Sequence, residues 1–183
     1  IIRSEGKGTD GKPFLCMCED EEGIWFGSNR EIYRYSFEDS SLSLFRDLVE
    51  KSSFLIRNIE IIDRHTLLCS SHNGLLFVDT ETGTIKETPF ALFNEVSTTL
   101  VDSKGRIWVS FYNNGIVVFE KDGTILHRYT TSCSDLSNDV VLCMTERDSC
   151  IWAGTDGGGI NIIDPENNRI RVLSHIAGDP SSL

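Results

Sequence analysis

Side chains that suit a hydroxyl-rich ligand recur at one step of a repeated sequence pattern. Asn73, Tyr112, Asn113, Asn114 and Asp156 lie in predicted turns that each contain a glycine. Their amide, phenol and carboxylate groups can donate hydrogen bonds to hydroxyl groups or accept hydrogen bonds from them. Since binding residues concentrate in loops that a rigid scaffold positions, we predict that these five residues share one face and bind a hydroxyl-rich ligand.

Patterns for catalysis, metal binding or phosphate binding are incomplete in this chain. The glycines at 157–159 lack the rest of a phosphate-binding loop, so a turn between strands is the better interpretation. The acidic run Glu19–Glu22 lacks the spacing of a calcium loop. The four histidines form no zinc pattern, and no nucleophile motif is visible. We predict no catalytic residue, no metal site and no cofactor.

The charge of the chain limits the class of ligand. Its 183 residues are 39% hydrophobic and 25% charged, with a net charge of −11 and an isoelectric point near 4.7. Such a surface repels phosphate backbones, so we predict no nucleic-acid binding by this segment. No apolar run approaches the roughly 18–20 residues that a membrane span needs. Neutral ligands such as sugars or peptides fit this composition.

The cysteines predict no redox or zinc motif. Six cysteines stand at positions 16, 18, 69, 133, 143 and 150, without a CxxC pair. Most are expected to be buried free thiols that act as small hydrophobic residues. An even number leaves room for one disulfide if the chain is extracytoplasmic.

The elements that would position the polar turns belong to a repeat. Trp25, Leu68, Trp108 and Trp152 occupy equivalent positions, 43, 40 and 44 residues apart. A period in the low forties built from short β-type runs is typical of a propeller blade. At a fixed repeat position these four side chains are expected to form the structural core, between neighbouring blades.

Each repeat reads as four short strands joined by hairpin-length connections. The predicted units cover approximately 13–53, 54–94, 95–138 and 139–183. Their turns use Asp, Asn, Gly and Pro, and their strands use β-branched and aromatic residues. Residues 41–53 could form a short helix, but we interpret the first part as the fourth strand of the first unit. The first three strands of each unit are apolar at nearly every position, which predicts sheets covered on both faces.

The repeats resemble the two-component regulator propeller repeat. The resemblance is most complete in "VVLCMTERDSCIWAGTDGGGINIID" (140–164) and next in "VDSKGRIWVSFYNNGIVVFE" (101–120). The unit "CEDEEGIWFGSNREIYRYS" (18–36) also fits, whereas the second unit departs from the pattern and has no tryptophan. The fold class expected is therefore all-β, a propeller segment of about four four-stranded antiparallel blades.

The resemblance implies a parent protein and a location. Such repeats form the periplasmic sensor region of hybrid two-component histidine kinases of Bacteroides-type gut bacteria, which sense glycans. It implies part of a larger, seven-bladed propeller; a closed four-bladed ring is the alternative. The implied partners are an oligosaccharide and a second copy in a homodimer, with membrane attachment only through other parts of the parent. Two other functions stay open, a structural scaffold with sensing elsewhere and a propeller lyase or glycosidase.

Overall fold

The computed structural model describes residues 12–48, 50, 54–71, 74–88, 95–179 and 182. All the regular structure in these residues is β, and sixteen strands form four four-stranded sheets. Within each sheet every strand pairs antiparallel with the next strand of the chain, so each sheet is a meander. No helix long and apolar enough to cross a membrane occurs in the described residues.

Each sheet lies within one of the four predicted repeat units. Sheet 1 contains β1 (Cys16–Glu19), β2 (Gly23–Ser28), β3 (Glu31–Ser36) and β4 (Leu42–Asp47). Sheet 2 contains β5 (Asn58–Asp63), β6 (Thr66–Ser71), β7 (Gly74–Asp79) and β8 (Ile85–Glu87). Sheet 3 contains β9 (Val96–Val101), β10 (Ile107–Phe111), β11 (Ile116–Phe119) and β12 (Ile125–Tyr129). Sheet 4 contains β13 (Val141–Arg147), β14 (Cys150–Thr155), β15 (Gly159–Asp164) and β16 (Arg169–Leu173).

Aspartate side chains close several of the turns between the third and fourth strands. The Asp79 carboxylate accepts backbone hydrogen bonds from Glu81 and Thr82, at 3.1 and 2.8 Å. Asp164 accepts the equivalent pair from the residues two and three positions further on, both at 3.1 Å. These local bonds satisfy backbone donors that the sheet leaves unpaired, so the turn sequence itself determines where each strand ends.

The chain forms two compact units, Ile1–Thr88 and Pro89–Leu183. In unit 1, sheets 1 and 2 pack face to face around one core. Trp25 and Ile32 of sheet 1 contact a layer that includes Ile59, Leu67 and Cys69 of sheet 2. The face of sheet 1 that carries its tryptophan therefore packs on the following sheet.

Unit 2 repeats this arrangement. Trp108, Ile116 and Tyr129 of sheet 3 pack against the face of sheet 4 that contains Ile151 and Ala153. In both units the tryptophan-bearing face of one sheet meets the opposite face of the next. Four-stranded meanders stacked in this way are propeller blades, and the all-β fold prediction is confirmed. The strand expected at the start of residues 41–53 is also present, as β4.

Two expectations about burial were wrong. Trp25, Leu68 and Trp108 are buried, but Trp152 is partly exposed and lies outside the core cluster of unit 2. Trp152 lies on the face of sheet 4 turned away from sheet 3, where no other sheet of unit 2 packs. Sheets 1 and 4 are likewise not covered on both faces, since Met17 is 68% exposed and Leu142 59% exposed.

Each unit has two ends, which we name by their loops. At the connector end lie the turns between second and third strands and the segment that links one sheet to the next. At the hairpin end lie the first hairpins and the turns between third and fourth strands. Backbone hydrogen bonds join the loops at the connector end of unit 1, where Ile56 N donates to Asn29 O at 2.6 Å.

Candidate functional site

Four of the five predicted ligand-binding residues lie at the connector end of unit 2. Tyr112, Asn113 and Asn114 form the turn between β10 and β11, and Asp156 begins the turn between β14 and β15. All four are exposed, and Tyr112 exposes 56% of its surface. Asn73 lies outside the described residues.

The connector between sheets 3 and 4 joins the two turns. Gly115 N, at the end of the first turn, donates to Asp139 O at 3.0 Å. Asp156 N donates to Val140 O at 2.9 Å. The Asn138 side chain donates a further hydrogen bond to Asp156 O at 2.7 Å. The two predicted turns are therefore fastened to adjacent residues of one segment, which brings their polar side chains to the same end.

A buried asparagine holds that connector in place. Asn161 on β15 is fully buried. Its Oδ1 accepts a hydrogen bond from Ser137 N at 2.9 Å, and its Nδ2 donates to Ser137 Oγ at 2.7 Å. Leu136 of the connector is buried in the core of unit 2. Sequence analysis missed Asn161, and its one signal is a polar residue on a strand whose neighbours are apolar.

The hairpin end carries a second motif that sequence analysis missed. Asp102 accepts hydrogen bonds from Trp108 Nε1 at 2.8 Å and from Arg106 Nε at 2.6 Å. In sheet 1, Asp20 accepts from Trp25 Nε1 at 2.8 Å and from Arg34 at 2.6 Å. Burial alone would raise the pKa of Asp20, but the hydrogen bonds from Arg34, Trp25 and the backbone outweigh it and lower that pKa. The signal was an aspartate five or six residues before tryptophan.

The first hairpin of sheet 4 differs from these two. Asp148 and Ser149 form a two-residue turn with φ of 52° and 61°. Arg147, which pairs with Cys150, stands at the position of Asp102. The preceding Glu146 accepts hydrogen bonds from Ser103 N and Oγ at 2.7 and 2.6 Å. Among the described residues, no carboxylate hydrogen-bonds to the indole of Trp152. Glu146 thus links sheet 4 to the first hairpin of sheet 3. Within the described part of the chain, the indole of Trp152 lacks the hydrogen bond to a carboxylate that the indole of Trp108 makes.

Burial keeps two neighbouring thiols, those of Cys16 and Cys18, protonated. All six cysteines are free, but the expectation that most of them are buried is wrong, since Cys69 alone is fully buried and Cys133 and Cys143 are exposed. Burial raises the pKa of Cys16 to about 11 and that of Cys18 to about 12. Both stay protonated near neutral pH and are poor nucleophiles. The described residues contain no group of three or more His, Cys, Asp or Glu side chains placed to hold a metal ion.

One partly buried carboxyl group makes the stability of the fold depend on pH. Burial raises the pKa of Glu60 on β5 to about 7, although Asn58 donates a hydrogen bond to it at 2.9 Å. Between pH 4.5, its ordinary value, and pH 7 the folded chain binds this proton more tightly than the unfolded chain does. The contribution of Glu60 to the free energy of unfolding therefore falls as the pH rises through this window.

The variant Glu60→Gln is expected to match the parent near pH 4 and to be more stable at pH 8. The expected gain is roughly 1–3 kcal/mol, because the neutral amide avoids ionisation in a partly buried site. Denaturant unfolding at several pH values measures it. Glu21→Gln is the control, since Glu21 is exposed. A difference that does not change between pH 4 and pH 8 would contradict the assignment.

The fold is shared with solved extracellular domains of putative one component and hybrid two component systems. The extracellular domain of the putative one component system BT4673 of B. thetaiotaomicron superposes with a TM-score of 0.74 at 20% identity, over 96% of this chain and 23% of that one. That of the putative hybrid two component system BT3049 gives a TM-score of 0.67 at 17% identity, over 90% of this chain and 25% of that one. The chain thus spans about a quarter of the length of these domains.

An enzyme has the same kind of fold. Catalytically inactive virginiamycin B lyase of Staphylococcus aureus superposes with a TM-score of 0.71 at 19% identity, over 96% of this chain and 60% of the lyase. No family model matches the sequence, and no curated protein does. The chain is therefore a β-propeller segment whose blades have the fold of the extracellular domains of these putative one component and hybrid two component systems of B. thetaiotaomicron.

Proposed function

We propose that this chain is a non-catalytic, extracytoplasmic sensor segment of a hybrid two-component histidine kinase and that it binds a saccharide-type ligand. The observation that carries the proposal is the set of exposed polar turns gathered on one connector in unit 2. The fold shared with sensor domains supports the sensor role.

The chemistry of the turns suits a sugar. The exposed ring of Tyr112 offers an apolar surface to the C–H face of a pyranose, and its phenol is a hydrogen-bond donor and acceptor. Asn113 and Asn114 supply amides, and Asp156 supplies a carboxylate for sugar hydroxyls. Because the connector holds both turns, little conformational entropy is lost when a ligand binds.

The signal would pass to the kinase through other parts of the parent protein. Ligand binding can shift an equilibrium between two states only by its difference in affinity for those states. We propose a homodimer in the periplasm, in which propeller surfaces of two copies meet and move as rigid bodies. The connector is the element that a ligand at this site would displace first.

Titration with a panel of neutral and acidic oligosaccharides tests the proposal. We expect Asn113→Ala and Asp156→Asn to weaken binding about tenfold, the effect of losing one or two good hydrogen bonds. Glu120→Gln, at the hairpin end of unit 2, is the matched control and should bind as the parent does. Isothermal calorimetry gives the affinities, and thermal unfolding checks that each variant is folded.

Two outcomes would replace the proposal. Binding by a longer sensor region alone, unchanged by Asn113→Ala, would favour the structural scaffold. Turnover of a glycan, or of a quinupristin-type substrate like the one bound to the lyase neighbour, would favour an enzyme.

A further inference from the structure

A groove of about 420 Å³ lies at the connector end of unit 1. It is bordered by the turn between β2 and β3, the end of β4 and the segment that leads into sheet 2. Its lining residues are Lys12, Asn29, Arg30, Glu31, Asp47 and Leu55. The groove is the unit 1 counterpart of the polar turns in unit 2.

The backbone on one side of the groove is fixed. Asn29 adopts a φ of 49°, a left-handed conformation that asparagine tolerates better than most residues. Asn29 O accepts the hydrogen bond from Ile56 N, and Arg30 O accepts one from Leu48 N at 2.8 Å. Leu48 and Ile56 are fully buried, so the turn is anchored on the core.

Two charged side chains in the groove are left over, those of Arg30 and Asp47. Lys12 Nζ forms an ion pair with Glu31 at 2.6 Å, and Tyr33 donates a hydrogen bond to the same carboxylate at 3.1 Å. The Arg30 guanidinium is half-buried, and no described residue forms a hydrogen bond or ion pair with it. A half-buried guanidinium offers a planar, bidentate donor to a carboxylate.

The distribution of charge in unit 1 favours binding of an acidic ligand at the connector end over the hairpin end. A larger groove at the hairpin end, of about 520 Å³, is lined by Asp20, Glu21, Glu22 and Asp63, with Arg64 as its basic residue. That groove repels anions, whereas the groove at the connector end balances two basic residues against two acidic ones. In a chain with a net charge of −11, an unpaired arginine beside an anchored turn is the favourable place for a negative group.

We propose that Arg30 binds the carboxylate of a uronic acid residue in an acidic saccharide at a second site, within unit 1; this inference rests on the proposed saccharide binding. The Asn29 amide and the Asp47 carboxylate contact the sugar hydroxyls. Leu55, which is 45% exposed, packs against the C–H face of the ring. Asn29 and Arg30 form the turn between β2 and β3, which is the unit 1 equivalent of the turn that contains Tyr112, and the groove adds the charge that selects among sugars.

The test compares galacturonic acid trimers with galactose trimers of equal length. We expect the parent chain to bind the acidic trimer at least tenfold more tightly than the neutral one. Arg30→Gln should weaken binding of the acidic trimer about tenfold or more and leave the neutral trimer unaffected. Arg57→Gln is the matched control, because Arg57 is exposed at the same end but does not line the groove.

The outcomes separate this inference from the proposed function. Equal affinity for the two trimers, or equal effects of Arg30→Gln and Arg57→Gln, overturns the role of Arg30 and leaves saccharide binding intact. Binding of neither these trimers nor the wider panel overturns both. Tighter acidic binding that Arg30→Gln abolishes, with an unchanged melting temperature, supports the inference.

Discussion

Trp108→Ala is expected to destabilise the chain by about 3–5 kcal/mol, the usual cost of removing a large aromatic side chain from a core. Trp108 is fully buried and stacks on Tyr129 with the ring centroids 5.7 Å apart. The substitution also removes a hydrogen bond to the buried Asp102. An unfolding titration monitored by circular dichroism measures the loss.

Trp152→Ala is the matched control, because Trp152 occupies the same repeat position on a face that is partly exposed. We expect it to cost roughly 1–2 kcal/mol, since less apolar surface leaves the core and no carboxylate loses an indole partner. If the two variants lost equal stability, the packing of tryptophan between sheets 3 and 4 would not be the main contribution of Trp108.

Gly115→Ala is expected to cost about 3 kcal/mol or more, through strain rather than lost contacts. Gly115 has a φ of 68°, and an added Cβ would lie 2.1 Å from the carbonyl oxygen of Tyr129. Neither the neighbouring strand nor the connector bonded to Gly115 can move without breaking hydrogen bonds. Because Gly115 ends the Tyr112–Asn114 turn, saccharide binding should weaken as well.

Gly105→Ala separates the two sources of that strain. Gly105 has a φ of 78°, but nothing lies within 4 Å of the position of its added Cβ. The Gly105→Ala variant should lose about 1–2 kcal/mol of stability, because alanine is strained in a left-handed backbone conformation. Thermal and denaturant unfolding of the pair would contradict this explanation if Gly105→Ala were as damaging as Gly115→Ala.

The strands could be predicted because their signals are local. Turn aspartates such as Asp79 and Asp164 hydrogen-bond within three residues, so the sequence around them contains the whole interaction. The spacing of Trp25 and Trp108 indicates a repeat, and both sheets bury the tryptophan at the same position of that repeat. Nothing at Trp152 itself distinguishes it from Trp108, because burial depends on what packs against the sheet.

The geometry of the candidate site could be predicted only in outline. Tyr112 and Asp156 were recognisable as turn residues, but the connector that joins them is held by Asn161, 24 residues away along the chain from Ser137. Such contacts have no sequence spacing that repeats. The unpaired state of Arg30 was equally invisible, because it depends on Glu31 bonding to Lys12 instead.

The tryptophan-bearing faces of sheets 1 and 3 each meet the opposite face of the following sheet, which gives the two joints the same polarity. In unit 1 and in unit 2 the first sheet contributes one kind of surface to the joint, and the second sheet contributes the other kind. Duplication of a whole repeat would recreate a compatible joint without new mutations at either surface. Gene duplication can therefore change the number of blades in proteins of this kind while selection acts separately on the loops.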